Sequence, residues 1–169
     1  MDEVHFQQHG SRCQMWVLPE TKDPVLFHPP IRKSVGHYGA VRLRGGRFLF
    51  RPETGKFNAL TCWEFLQKLC ATSTRRARRV VVITDNARYH HARLHRDRRQ
   101  QKAECFRLDF LPPYSPELSP AERMWKLTRR LCIHNRYFRN LAEVALAVEA
   151  EFANWTKPNN TLRRLCAIT

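Results

Sequence analysis

Arg79-Val80-Val81-Val82-Ile83-Thr84-Asp85-Asn86 is the stretch on which the fold turns. An unbroken β-branched run from Val80 to Thr84, with no polar alternation, has the composition of a strand covered on both faces, and it delivers a carboxylate, Asp85, at its C-terminal end. Beyond it, residues Ala87 to Glu104 are polar and basic with a thin apolar set (Tyr89, Ala92, Leu94), which predicts a basic helix from Arg88 to Lys102. Cys105-Phe106-Arg107-Leu108-Asp109-Phe110 then reads as a second short strand. Strand, helix, strand implies a parallel pair.

Working toward the N-terminus, Asn58 can cap a helix in which Leu60, Trp63, Phe65, Leu66, Leu69 and Cys70 recur at roughly helical spacing, ending near Thr72-Ser73-Thr74. Before it, Val35 to Leu43 alternates apolar and polar residues, Gly45-Gly46 turns the chain, and Arg47 to Arg51 returns as the second arm of a hairpin. At the start, Val4 to Gln8 and Cys13 to Leu18 flank His9-Gly10-Ser11-Arg12, the pattern of a further hairpin, and Pro19, Pro24, Pro29 and Pro30 mark the loop that follows. On the C-terminal side, a proline-rich loop from Leu111 to Pro120 precedes a helix from Ala121 to about Cys132. An amphipathic helix carrying Leu141, Val144, Ala145, Val148, Phe152 and Trp155 comes after it. The class expected is α/β, with antiparallel N-terminal strands followed by parallel strands alternating with helices, in a single domain over residues 1–169.

The chain carries 30 lysines and arginines against 15 aspartates and glutamates, a formal net charge of +15. A polyanionic partner follows, and nucleic acid fits better than a membrane, because no apolar run approaches the roughly 18 residues a spanning helix requires. Cys13, Cys62, Cys70, Cys105, Cys132 and Cys166 are scattered without a Cys-x-x-Cys pair and sit mostly among apolar neighbours. They read as small buried residues of a reducing intracellular protein, not as a zinc knuckle or a disulfide framework.

In so basic a chain the position of each carboxylate is informative, since Mg2+ is a hard cation that takes oxygen ligands. Asp2 lies at the start of the first strand, Asp85 ends the β-branched strand, and Glu122 falls in the first turn of the helix after the proline loop. Taken singly, each has an ordinary structural explanation: a terminal residue, a strand-to-turn Asp-Asn pair, and an acid at the positive end of a helix. The surrounding residues separate the two readings. They are Asp2-Glu3-Val4-His5-Phe6, Thr84-Asp85-Asn86-Ala87-Arg88-Tyr89-His90-His91, and the long run Leu111-Pro112-Pro113-Tyr114-Ser115-Pro116-Glu117-Leu118-Ser119-Pro120-Ala121-Glu122-Arg123-Met124-Trp125-Lys126, with 36 residues between Asp85 and Glu122.

These words closely resemble the catalytic domain of the insertion-sequence 630 type transposases, relatives of the mariner transposases, over nearly the whole chain. The resemblance implies a ribonuclease H-like mixed sheet with helices on both faces. It maps the Asp-Asp-Glu triad onto Asp2, Asp85 and Glu122 as catalytic, metal-holding residues, and it implies Mg2+ or Mn2+ as cofactor, two ions in all. Its chemistry would be phosphodiester hydrolysis at transposon ends followed by strand transfer into target DNA. Asn86 and His90 match the family word and would position the metal shell or the scissile phosphate, and the Pro112 to Pro116 loop would aim Glu122. Arg88, Arg93, Arg96 and Lys102 are the residues expected to meet the DNA backbone, because their segment follows directly from Asp85. Ser119 stands where the family usually has asparagine. The resemblance further implies a homodimer in the complete protein, a bacterial, nucleoid-associated location in the cytoplasm, and an N-terminal helix-turn-helix module that the sequence here is expected to lack. A second reading takes the chain as a silent remnant that binds DNA through charge alone. Trp125 and Trp155, at helical apolar spacing, are expected in the core and not as base-stacking platforms.

Overall fold

The computed structural model describes residues 1–9, 13–14, 16, 18, 31–73, 79–104, 106–113 and 115–167. Strand β1 (Asp2–Gln7) owes its form to period-two alternation, with Val4 and Phe6 buried and His5 and Gln7 exposed. It pairs antiparallel with β2 (Ser34–Arg42), placing Asp2 opposite Gly39, and β2 pairs antiparallel with β3 (Arg47–Glu53). Gly46 lets the β2–β3 turn close: its φ is 60°, and a Cβ there would lie 2.0 Å from the Asn159 carbonyl oxygen.

The hairpin expected between Val4 to Gln8 and Cys13 to Leu18 does not form among the described residues, Gly10, Ser11, Arg12, Met15 and Val17 lying outside them. Cys13, Gln14, Trp16 and Leu18 lie outside any strand, and Trp16 and Leu18 are exposed. An apolar run does not by itself name its partner, and β2, whose Tyr38 and Ala40 are buried, pairs with β1 instead. The four loop prolines, Cys105 and Tyr114 lie outside the described residues.

Helix α1 (Ala59–Ser73) starts where expected, with Asn58 Oδ1 accepting from the Leu60 and Thr61 amides. Its Cys62, Phe65, Leu66 and Leu69 pack on Tyr38 and Ala40, and the same cluster takes in Val82 of β4 (Val80–Thr84) and Phe106 and Leu108 of β5 (Phe106–Phe110). β4 and β5 run parallel, Val80 opposite Phe106 and Thr84 opposite Phe110. On the opposite face, α3 (Pro120–Thr128) continues as a wide π turn (Arg129–Ile133), followed by α4 (Leu141–Asn154) and α5 (Asn160–Leu165). Met124, Trp125, Val144, Val148, Phe152 and Leu162 from these helices meet Val4, Phe6 and Phe48. Helices therefore cover both faces of the β1-β2-β3 sheet. No helix among the described residues is long and apolar enough to cross a membrane.

Four details depart from expectation. The mixed sheet is realised as two ladders, β1-β2-β3 and β4-β5, which touch where the Met1 nitrogen donates to the Ile83 carbonyl. Consistent with that split, β4 is covered on one face only: Val82 and Thr84 are buried, while Val81 and Ile83 line an apolar groove of about 350 Å³ and are 51% and 37% exposed. The basic helix is broken, a 3-10 turn at Arg88–His91 being separated from α2 (Arg93–Gln101) by Ala92, whose ψ of 145° is extended. Helix α5 went unread because it is short, although Asn159 caps it by accepting from the Thr161 and Leu162 amides.

His95, on α2, is fully buried against Trp63, and among the described residues neither ring nitrogen makes a hydrogen bond of ordinary geometry, the Tyr89 backbone giving only weak support. Burial, joined by the charges of His90, Arg99 and Arg98, pushes its pKa down from 6.5 to about 4. The unfolded chain then binds a proton below pH 6.5 that the folded chain refuses until about pH 4, so stability falls as pH drops through that window. The loss at its lower edge is up to about 3 kcal/mol. His95→Leu is expected to flatten the acid limb of the thermal-midpoint profile between pH 6.5 and 4; an unchanged limb contradicts this assignment.

Candidate active site

Each ladder and the C-terminal helical layer bring one carboxylate to a common cleft of about 220 Å³. Asp2 comes from the first residue of β1, Asp85 from the residue after β4, and Glu122 from the first turn of α3; Asn86, Pro112, Pro113 and Ser119 also line it. The proline loop is what turns the chain from β5 into α3. It is tied at one end by the Leu111 amide to the Thr84 carbonyl (2.8 Å), and at the other by a 3-10 turn at Pro116–Leu118 before Pro120 opens the helix.

Asp2 is held at both oxygens. Oδ1 accepts from the Glu3 amide at 2.9 Å and Oδ2 from the Trp125 indole N–H at 3.0 Å. Burial nevertheless raises its carboxyl above the ordinary range, outweighing those bonds, and the nearby Glu122 charge pushes the same way. Asp85 is held on Oδ1, by the Ala87 amide at 3.2 Å and by His90 Nε2 at 3.2 Å. The hydrogen bond from His90 is the largest influence on it and keeps its carboxyl below the ordinary range.

His90 is fully buried behind the cleft. Its Nδ1 meets the Cys62 thiol at 3.3 Å, and its Nε2 lies 3.2 Å from Thr84 Oγ1 and 3.6 Å from Glu3 Oε1. The tautomer with hydrogen on Nε2 donates to Asp85 and accepts from Cys62 at Nδ1. Glu3 is a functional candidate that sequence reasoning passed over. Its Oε1 is buried without a hydrogen-bond partner among the described residues, and burial pushes its carboxyl up to about 7 against the pull of His90 and Tyr89. One oxygen each from Asp2, Glu3 and Asp85 lie within 4.8 Å of one another. Converging hard oxygen donors, one of them a buried acceptor lacking a donor, fit a divalent cation of the Mg2+ or Mn2+ type.

Asn86 lines the cleft, but its side chain is engaged in the scaffold: Nδ2 donates to the Leu111 carbonyl and Oδ1 contacts His91 Nε2 at 3.3 Å. Arg88, in the turn after Asp85, and Arg93, Arg96 and Lys102, on or just past α2, are exposed. Arg98 and Arg99 differ from them, lying over the rings of Trp63 and Phe110 at 5.5 and 5.9 Å. Trp125 is in the core as expected, 1% exposed, yet it also touches a site carboxylate.

Gly39 is the other residue whose place here was not read from sequence. It sits opposite Asp2 in the ladder, and a Cβ on it would lie 2.2 Å from Trp125 Cη2 and 2.8 Å from the Phe48 ring. Gly39→Ala is therefore expected to overpack the sheet–helix contact by about 1–3 kcal/mol. That corresponds to a thermal midpoint lower by roughly 3–10 °C; a midpoint equal to that of the parent chain would show that the indole has room to move.

Residues 1–145 match the family model described as DDE superfamily endonuclease. No curated protein sequence matches the chain. Among solved structures, the Mos1 strand transfer complex superposes with a TM-score of 0.66 at 22% identity, over 98% of this chain and 49% of that one. A pre-cleavage Mos1 transpososome gives 0.71 at 19% identity, over 98% of this chain and 50% of that one. The catalytic domain of Mos1 mariner transposase gives 0.57 at 20% identity, over 84% of this chain and 71% of that one. The chain spans about half the length of the transposase chains in the first two. At such identities the likeness is one of fold, and the fold is ribonuclease H-like.

Proposed function

The chain belongs to the DDE superfamily endonuclease family, and on that premise we propose that residues 1–169 form one catalytic domain of a DNA transposase of the insertion-sequence 630 type. The observation that carries the proposal is the meeting of Asp2, Asp85 and Glu122, from three separate elements, in one cleft.

In this reading Asp2, Asp85 and Glu122 hold divalent cations, two Mg2+ or Mn2+ ions. Bound there, such ions supply activation of a water or 3′-hydroxyl and stabilisation of the leaving oxygen of a phosphodiester. The protein's own part is electrostatic and geometric. His90 fixes the rotamer of Asp85 from behind, and Asn86 locks the end of β4 to Leu111, where the loop that leads to Glu122 begins. Arg88, Arg93, Arg96 and Lys102 present positive charge to the DNA backbone, orienting it without reading sequence. The Mos1 structures include a paired-end complex with a left transposon end and paired-end complexes with Mn and with Mg. By analogy, transposon ends and target DNA are the proposed substrates here, cut-and-paste transposition the proposed outcome, and a homodimer in the bacterial nucleoid the proposed working form of the complete protein.

The test is nicking of supercoiled plasmid in Mg2+ or Mn2+ by the chain and by its Asp85→Ala and Glu122→Ala variants. Equal nicking by all three, or none by any, overturns the proposal.

A further inference from the structure

We infer that Trp125 is a positioning residue for the cation site: its indole N–H ties Asp2 to the helix that carries Glu122, so that one rigid element sets the separation of two carboxylates 120 positions apart in sequence. The inference rests on the cation-binding reading of the cleft.

Glu122 lies in the first turn of α3 and Trp125 follows three residues later, one turn along the same side of the helix. A packed indole has one polar atom, a donor, and that donor is satisfied when buried. Here its acceptor is Asp2 Oδ2 at 3.0 Å. The ring cannot drift. It is 1% exposed and meets Phe6, Phe48 and Phe152 with centroids 6.3, 5.9 and 6.0 Å away. Gly39, opposite Asp2 in the ladder, has no Cβ to collide with the indole edge, which lies where one would sit. With Oδ1 taken by the Glu3 amide, the carboxylate of Asp2 is fixed about both of its rotatable bonds while each oxygen keeps a lone pair for a cation. Packing accounts for the size of the ring, but not for the direction of its one polar atom, which meets a site carboxylate. Partners of this kind, which orient a ligand without touching the metal, are worth about 10–100-fold in affinity.

The test measures Mn2+ binding by the electron paramagnetic resonance signal of free Mn2+, well below the thermal midpoint, for the parent chain, Trp125→Phe and Val148→Ala. Val148 is fully buried in the same cluster and has no polar contact to offer. Expected are Mn2+ binding by the parent, a loss of at least about tenfold in Trp125→Phe, and parent-like affinity in Val148→Ala despite its lowered stability. If Trp125→Phe does not fold, a benzothienylalanine at position 125, which keeps the ring and replaces the N–H with sulfur, carries the same expectation. Trp125→Phe or the isostere binding within twofold of the parent overturns the inference, and so does an equal loss in Val148→Ala. Absence of binding by the parent itself overturns the functional reading and, with it, this inference.

Discussion

Asp85→Ala is expected to lower metal-dependent nicking of supercoiled DNA by at least about a thousandfold, and Glu122→Ala by a similar factor, with DNA binding little changed. A thousandfold corresponds to about 4 kcal/mol of lost transition-state stabilisation. The expectation follows from how little else the cleft contains. Among the described residues its lining beyond the three acids is Asn86, Leu111, prolines and two serines, with neither a histidine nor a lysine facing it, so catalysis there depends on what the carboxylates hold. DNA affinity has a different source, the net charge of +15 and the exposed Arg88, Arg93, Arg96 and Lys102, and removing one acid leaves it intact. Gel shifts at matched salt alongside the nicking assay separate the two. Nicking that survives in both variants sinks the catalytic assignment. A parent chain that binds but never nicks is the silent remnant.

His90→Ala is expected to weaken Mn2+ binding by about 10–100-fold and to destabilise the fold by about 3 kcal/mol. Asp85 would keep only the Ala87 amide on Oδ1 and lose the bond that does most to hold its carboxyl below the ordinary range. Glu3 Oε1, already without a hydrogen bond, would also lose the imidazole 3.6 Å away, and Cys62 would lose its polar partner. Thermal unfolding and Mn2+ titration of the same preparation report the two effects. Unaltered metal affinity with lowered stability would make His90 a packing residue only.

Much of this was legible in the sequence because the signals were local. The β-branched run forecast β4 and the placement of Asp85, Asn58 forecast the start of α1, Gly45-Gly46 forecast the β2–β3 turn, and Pro120 just before Ala121 forecast the helix that presents Glu122. What failed depended on partners far along the chain. Strand composition said that Cys13 to Leu18 was apolar, but not that β2 would pair with β1. It said that Val81 and Ile83 were apolar, but not that their face would open on a groove. Ala92 carries no breaking signal, so the split of the basic helix was invisible. Glu3, Gly39 and Trp125 owe their roles to contacts with residues 87, 86 and 123 positions away, at His90, Trp125 and Asp2. A tryptophan one turn after a candidate metal ligand was the one available hint.

The central claim, that Asp2, Asp85 and Glu122 form a divalent-cation site, is tested most directly by anomalous diffraction from crystals of the chain soaked in MnCl2. The account predicts manganese peaks in the cleft within about 2.5 Å of oxygens of these three residues, two peaks about 3.5–4 Å apart. Manganese absent from the cleft at saturating concentration, or bound only elsewhere, would contradict it.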